Sequence, residues 1–188
     1  MAKQASKQPS KQIHVPPLLD LFRQYGYDGV SLAKIAQATG LGKASLYHHF
    51  PGGKDEMVET VLATLDQWLQ QTALAALKGE GDAQTRLERM GDRISTAYSQ
   101  GKKPCMLAAL MLGSAKDDFQ PQVQAMLQRW MGAIAAVLTQ AGMDSTLAQE
   151  RSEEALIAIQ GALILARAMA DTTIFERTLQ RLPQQLCR

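Results

Sequence analysis

Seven consecutive residues, Lys43-Ala44-Ser45-Leu46-Tyr47-His48-His49, bring together an ammonium, two hydroxyls and two imidazoles around a single leucine. Donors at this density suit hydrogen bonding to base edges and phosphate oxygens, and a side chain as small as Ala44 lets a helix lie close in a groove. Ser31 and Lys34 upstream, Gly42 immediately before the run and Lys54 shortly after it extend the set. Each also has a plainer reading: Ser31 as a helix cap, Lys34 and Lys43 as solvated lysines, Tyr47 and His49 as packing residues. For His49, which precedes the apolar Phe50, the packing reading is preferred; His48 is the better contact. Nothing comparable serves covalent chemistry. His14, His48 and His49 are the only histidines, so the rest of the chain has none for Ser-His-Asp or Cys-His catalysis and none for a metal. The pairs Asp117-Asp118 and Glu153-Glu154 read as surface charge at helix ends. No enzyme activity, cofactor or metal is expected.

The elements that would position these donors are helices. Apolar residues recur at three- and four-residue spacing throughout, and nowhere does the β-branched alternation of a strand appear. Pro17 to Tyr25 reads as a first helix burying Leu18, Leu21, Phe22 and Tyr25 and stopping at Gly26. Asp28 and Gly29 make a turn, Ser31 caps a short second helix, Thr39 to Gly42 form a second turn, and a third helix ends before Pro51. Two helices cross closely in a helix-turn-helix when the crossing point is small and the turn accepts positive φ, which Ala36 and Gly40 satisfy. Leu46 then points back into a core with Leu21, Leu32 and Ile35, leaving Lys43, Ala44, Ser45, Tyr47 and His48 outward. Further helices are expected at 54–77, 82–100, 105–114, 120–141, 145–171 and 173–186, the last opening on a Thr173–Glu176 capping box. The fold class is all-α, a three-helix head followed by a six-helix body.

Charge divides at the same place. The whole 188-residue chain has a formal charge of only +2. Residues 1–54 nevertheless hold seven basic against two acidic side chains, and the remainder is net acidic. Opposite signs imply that the head meets a polyanion and the body does something else. Three of the basic residues, Lys3, Lys7 and Lys11, fall in a polar stretch, 1–12, with the composition of a disordered arm. The expected domains are therefore an arm (1–12), a helix-turn-helix head (13–53) and a body (54–188).

The segments Tyr27-Asp28-Gly29-Val30-Ser31-Leu32, Ile35-Ala36, Gly40-Leu41 and Lys43 to Phe50, together with Lys54, resemble the head of the tetracycline-repressor (TetR-type) regulators over about residues 18–65. The body, with Pro104-Cys105-Met106-Leu107-Ala108-Ala109, more loosely resembles the branch of lincomycin-resistance repressors. The resemblance implies that Lys43, Ala44 and Ser45 read bases in the major groove of double-stranded DNA while Ser31, Tyr47, His48 and Lys54 hold phosphates. Lys34 and Gly42 complete the DNA-facing set. The sequence departs from the family at Pro16-Pro17, where relatives begin the first helix earlier, and at Gly42 and Gly53, where many carry Ser.

The body, 54–188, is more helix than a head needs for support. Residues 155–166 are apolar around nearly the whole helix and must be covered on every side. Leu156, Ile159, Leu163 and Ala166 with Phe175, Leu179 and Leu182 are the expected homodimer interface, forming a bundle across a two-fold axis; a central helix of a monomeric core is the alternative. Trp68, Met90, Ile94, Cys105, Met106, Ala109 and Trp130 are flexible or small apolar residues suited to core filling, and the resemblance implies a cavity for an apolar or amphipathic effector among them. Cys105 after Lys102 and Lys103 could be a redox trigger, a buried cysteine being the simpler reading. Two cysteines, no leader and no apolar run of about 20 residues point to a soluble cytoplasmic protein. The expected function is a homodimeric repressor released by ligand from a palindromic operator. A small-molecule-binding or enzymatic protein that retains the head, or a ligand-independent accessory DNA binder, is the alternative.

Overall fold

The computed structural model of the chain describes residues 11–188, and every regular element among them is helical. Nine helices follow from Val15 on: α1 (Val15–Tyr25), α2 (Leu32–Thr39), α3 (Lys43–His49), α4 (Gly53–Trp68), α5 (Ala83–Ala97), α6 (Met106–Met111), α7 (Lys116–Gln140), α8 (Ser145–Ala168) and α9 (Thr173–Leu186). Helix α4 continues through a π-helical turn, Leu69–Ala73, into a last turn, Leu74–Leu77.

Helix α1 begins two residues before its expected start. Pro16 and Pro17 sit in its first turn, where an N–H has no partner inside the helix, so the double proline opens the helix. Leu18 and Phe22 are fully buried and Leu21 is half-buried. Tyr25, expected in the core, is 43% exposed and lies on the surface with the Lys34 ammonium 4.0 Å from its ring centroid. Of the expected disordered arm, residues 1–10 lie outside the described residues, whereas Lys11 and Gln12 are helical. Lys11 pairs with Glu56 and sits 5.6 Å from the Phe50 ring centroid, and the Thr64 hydroxyl donates to Gln12 at 3.4 Å.

The chain packs as two compact units. One holds the head up to Leu65 together with Met106–Gln122; the other holds Asp66–Cys105 and Val123–Arg188. In the first unit α1 packs against α2 and against α6, because α6 turns the apolar Met106, Leu107 and Leu110 inward. In the second unit α9 lies against α5 and α8. Both helices that run through a unit boundary carry an irregularity near it. In α4 it is the π turn, and in α7 it is Pro121, which was expected near a helix start and sits inside the helix.

Helix starts in the second unit follow side-chain capping. Asp82 accepts from the Thr85 N–H at 2.8 Å, and Asp144 accepts from the Thr146 and Leu147 N–H groups at 2.9 and 3.2 Å. At α9 the expected Thr173–Glu176 box does not form. Asp171 takes its place, accepting from the Thr173 N–H at 3.0 Å and the Thr173 hydroxyl at 2.6 Å.

Candidate nucleic-acid interface

One buried side chain orients the interface. Leu46 is 2% exposed, like Ile35 and Phe50 part of the head's core. Its burial turns α3 so that Lys43, Ala44, Ser45, Tyr47 and His48 all face solvent. Gly40 ends α2 at φ 71° and ψ 9°, the left-handed conformation that the turn between the helices requires. A Cβ at Gly40 would meet nothing within 4 Å, so the glycine answers to backbone hand alone. Gly42 opens α3 with extended backbone and no side-chain cap. From Gly29 to Lys54 the chain has no carboxylate, so the outward face of α3 lies in an uninterrupted stretch of neutral and basic residues.

The flanking polar residues have specific partners. The Ser31 hydroxyl oxygen accepts from the Lys34 N–H at 3.3 Å, which caps α2 and leaves the hydroxyl proton available. The Lys34 ammonium donates to the Gly29 carbonyl at 2.8 Å. Lys54, a phosphate ligand by resemblance, is half-buried and donates to the carbonyls of Tyr27 and Val30 at 3.1 and 3.3 Å, lying 3.8 Å from the Tyr27 ring centroid. Two of its three protons therefore hold the α1–α2 loop. His49 is half-buried, as its place before Phe50 suggested, with its ring centroid 5.2 Å from His14 and 5.6 Å from His48. Burial, and then the charge of His49, push the His14 imidazole below its ordinary value.

The sequence places Asp28 in a turn and gives no partner for the side chain of Tyr27 or Asp28, yet the two tie this unit together. The Tyr27 hydroxyl donates to Asp55 at the start of α4, and its ring lies 5.9 Å from that of Phe119 in α7. Burial first, then Asp55, pushes the Tyr27 phenol up to about 12. Asp28 accepts from the Ser114 N–H at 2.8 Å and from the Ser114 hydroxyl. Those two bonds hold its carboxyl below the usual carboxylate range. An aromatic residue directly before an Asp in a turn was the only sequence signal.

Most of the expected effector and dimer residues are packed in the protomer's cores. Met90, Ile94 and Trp130 are core residues of the second unit, with the Trp130 indole N–H 3.3 Å from the Met90 sulfur. Trp68 is half-buried. Met106 and Ala109 belong to the unit that contains the head, because α6 packs on α1. Cys105 is buried and its sulfur accepts from the Tyr98 hydroxyl at 3.3 Å and the Gln160 amide at 3.6 Å, the environment of a packed cysteine. Open polar grooves of about 520 and 600 Å³ lie elsewhere in the second unit, one lined by Glu88, Asp92, Ser95 and Glu176 and the other by Asp82, Leu138, Asp144 and Cys187. The seven expected interface residues, Leu156, Ile159, Leu163, Ala166, Phe175, Leu179 and Leu182, are all buried within the protomer, in which α9 packs against α8 and α5. The neighbouring stripe of α8, Ile157, Ile164, Leu165 and Ala168, is the one left exposed. Residues 155–166 of α8 have only Gln160 as a polar side chain, so the register of the outer stripe could not be read from the composition of that segment.

Comparison with known proteins agrees with this geometry. Residues 19–61 match the model of bacterial regulatory proteins of the tetR family, and residues 81–181 match the C-terminal domain of LmrA/YxaF-like transcriptional regulators. The chain belongs to the TetR family. It is 23% identical over 157 residues to the HTH-type transcriptional regulator LmrA of Bacillus subtilis, covering 81% of this chain and 84% of LmrA. Bacillus subtilis YxaF, an uncharacterized HTH-type regulator, is also 23% identical, over 87% of both chains. A TetR-family regulator from Agrobacterium tumefaciens has the same fold, with a TM-score of 0.79 at 21% identity over 93% of this chain and 98% of that one. This TetR-family chain is thus a DNA-binding transcriptional regulator. Among the described residues no group of three or more His, Cys, Asp or Glu is placed to hold a metal, and no helix is long and apolar enough to cross a membrane.

Proposed function

We propose that the chain is a homodimeric repressor whose two heads occupy successive major grooves of a palindromic operator and whose body responds to a small apolar or amphipathic effector. One observation carries the reading: burial of Leu46 presents Lys43, Ala44, Ser45, Tyr47 and His48 together on the open face of α3. Lys43, Ala44 and Ser45 face the bases, while Ser31, Tyr47 and His48 contact phosphates. Lys34 and Lys54 act mainly on the loop that positions them. A seven-residue helix contacts few base pairs, so specificity depends on a second half-site and hence a second copy.

Exposure of Ile157, Ile164 and Leu165 at 71%, 63% and 53% on one face of α8 supports a second copy of the chain as what covers them. The effector enters among Met90, Ile94 and Trp130, whose flexible Met90 side chain can part from the indole. Ligand then weakens DNA binding, and DNA weakens ligand binding, by one factor.

Lys43→Ala and Tyr47→Ala should each weaken operator binding at least tenfold with melting unchanged. Ile164→Asp should convert the sedimenting species to a monomer. Footprints of both head variants that match the native one would remove α3 as the reading helix, and an Ile164→Asp dimer would remove the α8 face.

A further inference from the structure

We infer that Asp28 and Ser114 form a positioning pair that fixes the angle of the recognition helix against the segment Met106–Gln122, and thereby the half-site spacing the protein accepts. The inference rests on the paired-head reading above. In the chain, this segment lies between two stretches of the other compact unit, yet it packs with the head. It touches the head in two different ways. Helix α6 against α1 is an apolar contact, which holds the two together without a strong preference for register. The Asp28 carboxylate is directional: one oxygen accepts from the Ser114 N–H at 2.8 Å and the other from the Ser114 hydroxyl, so a single residue grips both oxygens.

The sequence around the pair fits this close approach. A Cβ at Gly113 would lie 2.8 Å from an Asp28 carboxylate oxygen, so a residue with a side chain there would push the carboxylate away. On the other side of Asp28, Tyr27 is tied to Asp55, Lys54 and Phe119, which leaves the loop little freedom to follow Ser114 by bending. The loop runs directly into Ser31, the cap of α2, and α2 leads through Gly40 to α3. A shift of the 112–115 corner is therefore delivered to the recognition helix. Asp28 and Ser114 are both exposed, so the pair contributes little to folding stability while still selecting one geometry.

The test uses the full chain and DNA that the wild-type protein selects from random sequence, remade with the half-sites one base pair closer or farther apart. Wild type should discriminate against both altered spacings. Asp28→Ala, Ser114→Ala and Gly113→Ala should each cut that discrimination roughly threefold to tenfold, the range expected for losing a charged hydrogen-bonded pair at a surface. The Asp28→Ala/Ser114→Ala double variant should do no more than Asp28→Ala alone, because losing the carboxylate removes both bonds, whereas Ser114→Ala removes the hydroxyl bond and keeps the one from the N–H. Ser114→Thr, which keeps the hydroxyl and N–H, should restore discrimination, and all melting temperatures should stay near that of wild type. Local unfolding would weaken every spacing alike, which separates it from the predicted effect. Unchanged discrimination in the single variants, or additive losses in the double variant, would overturn the positioning role while the repressor reading stands. Failure of the wild type to select any palindrome would overturn both.

Discussion

Replacing Lys54 with Met separates a residue that holds the head together from one that holds DNA. The side chain donates to two carbonyls, those of Tyr27 and Val30, and lies 3.8 Å from the Tyr27 ring centroid. Methionine keeps the length and apolar stem but removes every donor. A buried charged hydrogen bond is worth about 1.5–3 kcal/mol and an exposed cation–π contact about 0.5–1 kcal/mol. Lys54 is half-buried, so water replaces part of each, and the net cost should be about 1–2 kcal/mol. For a chain of this length that corresponds to roughly 2–8 °C in melting temperature. Lys43→Met should behave oppositely: Lys43 is exposed, so melting should not change, but affinity for the selected operator should fall by about 1–3 kcal/mol, the worth of a base contact, with the salt slope nearly kept. Thermal melting by circular dichroism and a salt titration of DNA affinity measure the two effects. A Lys54→Met protein as stable as wild type, with the salt slope reduced by a full phosphate contact, would refute the reasoning and return Lys54 to the DNA surface.

Gly40→Ala should cost about 1–2 kcal/mol, the price of left-handed backbone for a residue with a Cβ, because no neighbour lies within 4 Å to add a clash. Gly40→Asn should cost less, and equal losses for the two in urea unfolding would argue against a conformational origin. Folding stability should decline as pH falls below the ordinary histidine value, since the fold favours neutral His14; that part of the decline should vanish in His14→Gln. At the alkaline end Tyr27 works in the opposite direction: its raised phenol stabilises the fold below pH about 10, and that contribution is lost as pH climbs through about 12. Tyr27→Phe should flatten this limb of the stability profile. Leu163→Ala, at a position 2% exposed, should cost about 2–5 kcal/mol of protomer stability, whereas Ile164→Ala on the adjacent exposed stripe should cost far less and act on association instead.

The head was legible because its signals are local and geometric. Leu46 falls six residues beyond Gly40, which places it inward whatever the rest of the chain does, and Ser31 and Gly26 mark helix ends by their own chemistry. The features that were not legible depend on partners distant in sequence. Nothing near Lys54 indicates that it would turn toward the carbonyls of Tyr27 and Val30, and nothing near Asp28 points to Ser114, eighty-six residues away. In α8 the stripes beginning at Leu156 and Ile157 are equally apolar, so only contact with α9 decides which is buried. Met106 and Ala109 looked like body residues by chain order, but the apolar face of α6 joins them to the head's unit. Pro16 and Pro17 delayed the expected start of α1 because a proline's tolerance of a first turn was applied to the second of the two rather than to both.

Selection of DNA from random sequence by the purified full-length protein tests the central claim most directly. The account predicts enrichment of an inverted repeat whose half-site centres lie about 34–36 Å apart, one helical turn, with enrichment lost for Lys43→Ala and Tyr47→Ala. Recovery of no enriched motif, or of the same motif by both variants, would contradict it.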